Sequence, residues 1–259
     1  MLGAIAGDVV GSVYEGHPIK FKDFSLFGPR SGYTDDTVLT VAVAWAILED
    51  SDYGQALKSF GRKYPAGYGM NFYYWLMSES YEPYDSWGNG SAMRVSPVGF
   101  AFDSVERVLA EAKKSAQVTH NHPEGIKGAQ ATALAIYLAR TGADKNEIRN
   151  EVSGRFGYRL DRTLDEIRPH YYFHVSSQRS VPESILCFLE ATDFEDALRN
   201  AVSLGGDADT MACIAGGLAE AFYRTIPPDI VRETRRRLPE EFLEIIDRFY
   251  RAFAPEAIV

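Results

Sequence analysis

The chain has 259 residues, with 36 acidic side chains against 27 basic ones and a net charge of -9, a balance that excludes non-specific binding to nucleic acid or to an anionic membrane. Apolar residues make up 46% and charged residues 24%, the proportions of an ordinary globular protein with enough chain to bury a large core. Cys187 and Cys213 lie in apolar surroundings without CxxC spacing and read as buried thiols of a reducing compartment; with no basic segment before Asp8 and no apolar run of membrane-spanning length, the expected location is the cytoplasm.

Residues 2–13 are small and apolar, with Gly3, Gly7 and Gly11 at i, i+4 and i+8, and predict a helix whose glycine face lets a second helix approach closely. The passage from Tyr14 to about Gly32 is rich in Gly, Pro, Lys and Phe and reads as a long loop, a candidate lid. A helix follows from Asp35 to about Asp50, and Ser51-Asp52 caps the next. Residues 64–69 form a turn cluster, 71–80 are helix-like, and 82–90 return to loop. Beyond Ser91 helices crowd together. Asp103 or Ser104 opens one that reaches about Ala116, and Pro123 stands in the first turn of another that ends near Gly142. Asp144 and Glu147 have the spacing of a capping box. Residues 161–167 predict a short helix, and 170–175, aromatic and β-branched, is the one passage that reads as extended. Helices are expected over 183–190, 195–203, 209–223, 229–238 and 240–253. With no sustained alternation, no repeat and short linkers, the predicted architecture is all-α, residues 1–259 forming a single compact multi-helix domain.

Two stretches carry the chemistry. Tyr33-Thr34-Asp35-Asp36-Thr37 and Gly205-Gly206-Asp207-Ala208-Asp209-Thr210 each set two aspartates and a threonine before an apolar helix, where first-turn N–H groups welcome negative charge. Singly, each reads as a capped core helix. Together they would repel unless a cation lay between them, and oxygen donors without His or Cys suit Mg²⁺ or Mn²⁺ rather than Zn²⁺. The third stretch is Gly88-Asn89-Gly90-Ser91-Ala92-Met93-Arg94, whose glycines let backbone N–H groups face an anion. Tyr81, Tyr84 and Trp87 precede it and are candidates to stack on a base or pack a ribose, with core packing as the alternative. In Thr119-His120-Asn121-His122-Pro123, His120 is the expected contact to a polar ligand, while His122 stands open between such a role and a structural cap. Glu15, between the glycine-faced helix and the loop, is a candidate general acid or base.

Taken in order, Gly7-Asp8-Val9-Val10-Gly11-Ser12 with Glu15, Thr34-Asp35-Asp36-Thr37, Gly67-Tyr68-Gly69, Gly88 to Arg94, Thr119-His120 and Gly205 to Thr210 resemble the ADP-ribosylglycohydrolases over nearly the whole chain. The resemblance implies a helical fold holding two divalent metal ions, ligated by Thr34, Asp35, Asp36, Asp207, Asp209 and Thr210, with Glu15 on a mobile loop over them. It further implies that Gly67, Tyr68, Gly69, Gly88, Asn89, Gly90, Ser91, Met93 and His120 hold the pyrophosphate and ribose of ADP-ribose. The reaction expected is hydrolysis of the bond from ADP-ribose to a protein side chain or small molecule, with Glu15 or Asp35 moving the proton. One departure bears on the acceptor: the nitrogenase-regulating branch has an acid where this chain has Ser86, with Asp85 one place earlier. Two other readings compete. One is a further Mg²⁺ or Mn²⁺ phosphohydrolase, disfavoured because the chain has no His-Asp pair; the other is a catalytically silent ADP-ribose-binding module.

Overall fold

Polar caps and prolines divide the chain into fifteen helices over residues 1–254, the part that the computed structural model describes. They are α1 (Leu2–Gly11), α2 (Asp35–Leu48), α3 (Tyr53–Lys63), α4 (Met70–Met77), α5 (Gly90–Met93), α6 (Ser96–Ala101), α7 (Val105–Gln117) and α8 (Pro123–Arg140). The second half adds α9 (Lys145–Phe156), α10 (Leu164–Ile167), α11 (Ser177–Leu189), α12 (Phe194–Ser203), α13 (Ala208–Tyr223), α14 (Pro228–Arg235) and α15 (Glu240–Phe253). Residues 255–259, which the single-domain expectation includes, lie outside the described residues.

The caps act as their residue types dictate. Asp52 accepts from Gln55 N at 2.9 Å, Ser104 from Arg107 N at 3.3 Å, and Asp144 and Glu147 close a capping box on α9. His122 caps α8, its Nδ1 accepting from Glu124 N at 3.1 Å, which settles its role as structural. The helix expected from residue 183 begins six residues earlier, at Ser177, and carries Pro182 inside it. A proline there forfeits one backbone bond; nearby, Ser180 and Ser184 donate their hydroxyls to Ser176 O and Ser180 O at 2.9 and 2.7 Å. The passage over 170–175 is non-helical and forms no strand: a lone antiparallel bridge joins Gly88 to Ser176, flanked by Asn89 N to Val175 O at 2.8 Å and Ser177 N to Trp87 O at 3.0 Å.

The centre of the fold is the pair α1 and α13, both buried almost throughout. Gly3, Gly7 and Gly11 face Gly216, Ala212 and Ala208 in turn, so the two helices run antiparallel. A Cβ added at Gly7 would stand 2.0 Å from Ala212 O, so only glycine permits this approach. The remaining helices pack around the pair in one contiguous apolar cluster that includes both free cysteines, Cys187 and Cys213. Among the described residues, no helix is long and apolar enough to cross a membrane.

Candidate functional site

The close packing of α1 on α13 also sets the chemistry, because it carries Asp8, fully buried, to the start of α13. Gly11 lies directly against Ala208 and the Cα of Asp209. The Asp8 carboxylate accepts at Oδ2 from Thr34 N (2.9 Å), Thr37 N (3.1 Å) and Thr37 Oγ1 (2.5 Å), and at Oδ1 from Thr34 Oγ1 (2.7 Å). It thereby fixes the first turn of α2 and aims Asp35 and Asp36 from it. Thr34 is the N-cap of α2, its own hydroxyl accepting from Asp36 N at 3.3 Å.

The two aspartate-bearing helix starts converge. Thr210 Oγ1 reaches Asp36 Oδ2 at 3.3 Å. Asp8, Asp36 and Asp209 place a carboxylate oxygen each within 4.8 Å of one another, and so do Glu15, Asp207 and Asp209, so that Asp209 belongs to both groups. Two ionised carboxylates at that separation repel by roughly 3.5 kcal/mol at an effective dielectric of about 20. Burial, and then the Asp209 carboxylate, push Asp8 up to about 7 and Asp35 up to about 8. The same causes hold Asp36 and Asp207 well above the usual carboxylate range, and Asp209 followed by burial raises Glu15. Asp36 Oδ1 is buried without a partner. Crowded acids, an orphaned buried oxygen and a donor set free of nitrogen and sulfur fit hard divalent cations.

All of these acids but Asp8 border a cavity of about 370 Å³. Of the residues expected at the site, Glu15, Asp35, Asp36, Asp207, Asp209, Thr210, Gly67, Gly69, Ser86, Gly88, Asn89, Gly90, Met93 and His120 line it. Asn89 ties the glycine loop to the acids, donating Nδ2 to Asp207 Oδ2 at 2.8 Å. Gly67 and Gly69 lead into α4, whose first turn has no side-chain cap; Met70, Asn71 and Phe72 of that turn also line the cavity.

Three expected residues are absent from the cavity lining. Thr34 Oγ1 lies among the acids, 2.7 Å from Asp8 Oδ1 and 3.3 Å from Asp36 Oδ2; Tyr68 donates its hydroxyl to Tyr64 O at 2.7 Å with its ring against Phe72, and buried Ser91 donates to Gly125 O at 2.7 Å. Tyr68 and Ser91 therefore hold the loops in shape. The long loop is also tied down over most of its length, which corrects the reading of it as a lid. Lys20 Nζ donates to Tyr171 O and Leu204 O, both at 2.5 Å; Arg199 donates to Lys22 O and Phe24 O; Arg237 donates to Ser31 O. Residues 15–18, with Glu15 first, are exposed outside these ties.

Two residues of the site carried no assigned role in the sequence reading. Asp8 is the one acid in a helix of small apolar residues, and that isolation is its only sequence signal. Arg94 borders the cavity fully buried, its Nη2 donating to Ser115 O and Thr119 Oγ1 at 2.9 Å each, while Nε and Nη1 lack partners.

The family model of the ADP-ribosylglycohydrolases matches residues 1–257. The chain belongs to this family. It is accordingly a glycosidase-type hydrolase. ADP-ribosylhydrolase ARH3 of Mus musculus is 28% identical over 86% of this chain and 82% of its own. ADP-ribosylarginine hydrolase Tri1 of Pseudomonas putida strain GB-1 is 27% identical over 90% of this chain and 72% of its own. Among solved structures, a chain described as an ADP-ribosylglycohydrolase-related protein complex superposes with a TM-score of 0.75 at 25% identity, covering 97% of this chain and 95% of that one. The all-α fold is thus shared with that solved structure.

Proposed function

We propose that this ADP-ribosylglycohydrolase cleaves the bond between C1″ of ADP-ribose and an acceptor, with two divalent cations, Mg²⁺ or Mn²⁺, held by the converging starts of α2 and α13. The observation that carries the reading is the pair of carboxylate groups sharing Asp209, at a cavity whose lining also offers neutral donors. Asp35, Asp36, Asp207, Asp209 and Thr210 would hold the cations, with Thr34 and Asp8 fixing the first turn of α2. Bound there, such cations screen the carboxylates and polarise ribose hydroxyls and water.

The rest of the lining suits an anion. The uncapped first turn of α4 presents free N–H groups behind Gly67 and Gly69, and Gly88 to Gly90 bring backbone close to the cavity; these would hold the pyrophosphate. Trp87, 56% exposed beside that loop, offers a ring for the base. In the reaction, water attacks C1″ as the bond from C1″ to the acceptor breaks, through an oxocarbenium-like state. Glu15 lines the cavity from an exposed segment, and the Asp209 carboxylate followed by burial raises its pKa above the ordinary glutamate value; a carboxyl at that place suits proton delivery to the leaving acceptor. Asp35 is the second candidate for the proton transfer.

The acceptor side argues against arginine linkage. Ser86 lines the cavity and its Oγ accepts from Gly88 N at 3.1 Å, whereas Asp85 is exposed, has a left-handed backbone (φ 54°) and donates its N–H to Asn121 Oδ1. Asp85 therefore supplies no carboxylate at the place of Ser86, and a guanidinium gains no bidentate partner there.

The test is a panel of ADP-ribosylated substrates with and without chelator. Activity should vanish in chelator and return with Mg²⁺ or Mn²⁺. Asp35→Asn and Asp207→Asn should each remove most of it while helical circular dichroism persists. Full activity in chelator would sink the metal assignment.

A further inference from the structure

His120 is buried at 5% exposure, and its two ring nitrogens meet different surroundings. Nδ1 lies 2.8 Å from Thr119 Oγ1. Among the described residues Nε2 makes no hydrogen bond; His120 borders the cavity, and its Nε2 stands 3.0 Å from where a Cβ on Gly90 would be and 3.5 Å from one on Gly88. Which nitrogen carries the proton decides whether the cavity meets a donor or an acceptor.

The answer follows from Arg94. Its guanidinium can only donate, and Nη2 gives a hydrogen to Thr119 Oγ1 at 2.9 Å. Thr119 is itself fully buried, and among the described residues its hydroxyl meets Arg94 and His120 within hydrogen-bond geometry, with the Tyr84 phenol beside it. Were Nδ1 protonated, two donors would converge on the threonine oxygen and its own proton would have to leave the 2.8 Å partner for the less well placed Tyr84 oxygen, a costlier arrangement. Tyr84 also touches Thr119, whose hydroxyl lowers the phenol pKa that burial raises to about 12, so the phenol oxygen is a second acceptor for the Thr119 proton; the 2.8 Å contact to Nδ1 is the one that meets hydrogen-bond geometry. The ring as a whole stays neutral, because burial and then the Arg94 charge hold it well below the usual imidazole range.

We infer that Arg94 and Thr119 are positioning residues that lock His120 as the neutral Nε2–H tautomer, so that it presents a fixed hydrogen-bond donor to an oxygen of the ligand. The ligand part of this rests on the ADP-ribose reading above; the tautomer part does not. A neutral donor suits the place: an imidazolium would compete with cations for the acids, and an acceptor nitrogen would repel ribose or phosphate oxygen lone pairs.

Long-range ¹⁵N–¹H spectra of histidine-labelled protein test it, with the His120 ring signals identified by their loss in His120→Asn. Wild type should show a pyridine-type Nδ1 and a protonated Nε2 at neutral pH, and ADP-ribose should slow solvent exchange of the Nε2 proton. Thr119→Val, nearly isosteric, should release the tautomer to a mixture and weaken ADP-ribose binding roughly 5-fold, the worth of about one hydrogen bond. Thr119→Ser should restore both, and Tyr84→Phe should leave the tautomer unchanged. A protonated Nδ1 in wild type, or an unaltered tautomer in Thr119→Val, overturns the inference whatever the affinity. If wild type shows the expected tautomer but binds no ADP-ribose, the ligand reading fails and the Arg94–Thr119–His120 assignment stands.

Discussion

Adjacent glycines in the middle of α13 should respond to alanine in opposite directions. Gly216 faces α1: an added Cβ would lie 2.2 Å from Gly3 O, about 1.2 Å short of the 3.4 Å at which ordinary contact begins. Gly217 faces α6 and α8, and nothing stands nearer than Ile136 Cδ1 and Ser96 Cβ at 3.4 Å. Both substitutions gain roughly 1 kcal/mol of helix propensity. For Gly217→Ala little opposes it, and the variant should be more stable by about 0.5–1 kcal/mol. In Gly216→Ala the obstacle is a backbone carbonyl of the central helix, which cannot rotate away as a side chain would. Overpacking of this kind costs roughly 3 kcal/mol, so the net loss should be about 2 kcal/mol. Urea denaturation at fixed metal concentration measures both, with unchanged slopes showing that the midpoints report stability. A Gly216→Ala midpoint at or above wild type would show that α1 and α13 do not pack backbone to backbone, and the placement of Asp8 would fall with it.

Four other expectations follow from the geometry. In metal-free protein the folded state holds protons on Asp8 (about 7) and Asp35 (about 8) that the unfolded chain releases near 3.8; stability should therefore be highest below about pH 4 on this account and fall as pH rises towards 8. Thermal melts should show that decline, bounded at roughly 10 kcal/mol by these two groups, and saturating Mg²⁺ or Mn²⁺ should remove it. Glu15→Gln should cut kcat by roughly 10²–10⁴-fold and leave calorimetric ADP-ribose affinity nearly intact; affinity lost in parallel would move the proton-transfer role to Asp35. Lys20→Met removes the tie from the Glu15 loop to Tyr171 O and Leu204 O, so backbone hydrogen exchange over residues 15–19 should quicken, and unchanged exchange would refute the tie. Ser86→Asp should raise kcat/KM on ADP-ribosyl-arginine about 10-fold or more relative to a serine-linked substrate, whereas a wild type that already prefers arginine, unchanged by Asp85→Ala, would contradict the acceptor argument.

What the sequence disclosed was whatever local spacing can encode. The four-residue period of Gly3, Gly7 and Gly11 announced a close helix pair, and the Asp-Thr helix starts announced the acids, because in each case a few neighbouring residues carry the constraint. Asp8 was silent: its partners Thr34 and Thr37 lie 26 and 29 residues away, and one acid in an apolar helix has no spacing to read. The loop misled for the same reason. Its ties are arginines and a lysine donating to backbone carbonyls up to 206 residues distant, and a carbonyl acceptor leaves no mark in the sequence. Tyr68 and Ser91 show the converse, residues inside a ligand-binding motif whose hydroxyls serve nearby backbone.

The cavity has to admit an anion beside five carboxylates, and its layout indicates how. The lining combines the acids of α2 and α13 and Glu15 with the α4 first turn, the Gly88–Gly90 loop and His120, which donate without carrying net charge. Asn89 spans the two, giving its amide to Asp207. Arg94 is the one permanent cation on the lining, and it is buried with its Nη2 engaged on Ser115 and Thr119. Neutral donors can hold a pyrophosphate, but they cannot cancel the field of the acids across a cavity of about 370 Å³. Cations at the acids can. Each divalent ion bound there removes repulsion that an entering phosphate would otherwise meet, so metal and ADP-ribose should each tighten the other's binding by the same factor, as linkage requires. On that argument the carboxylates serve substrate binding as well as the chemical step, and substitution of Asp207 should weaken ADP-ribose affinity most when metal is limiting.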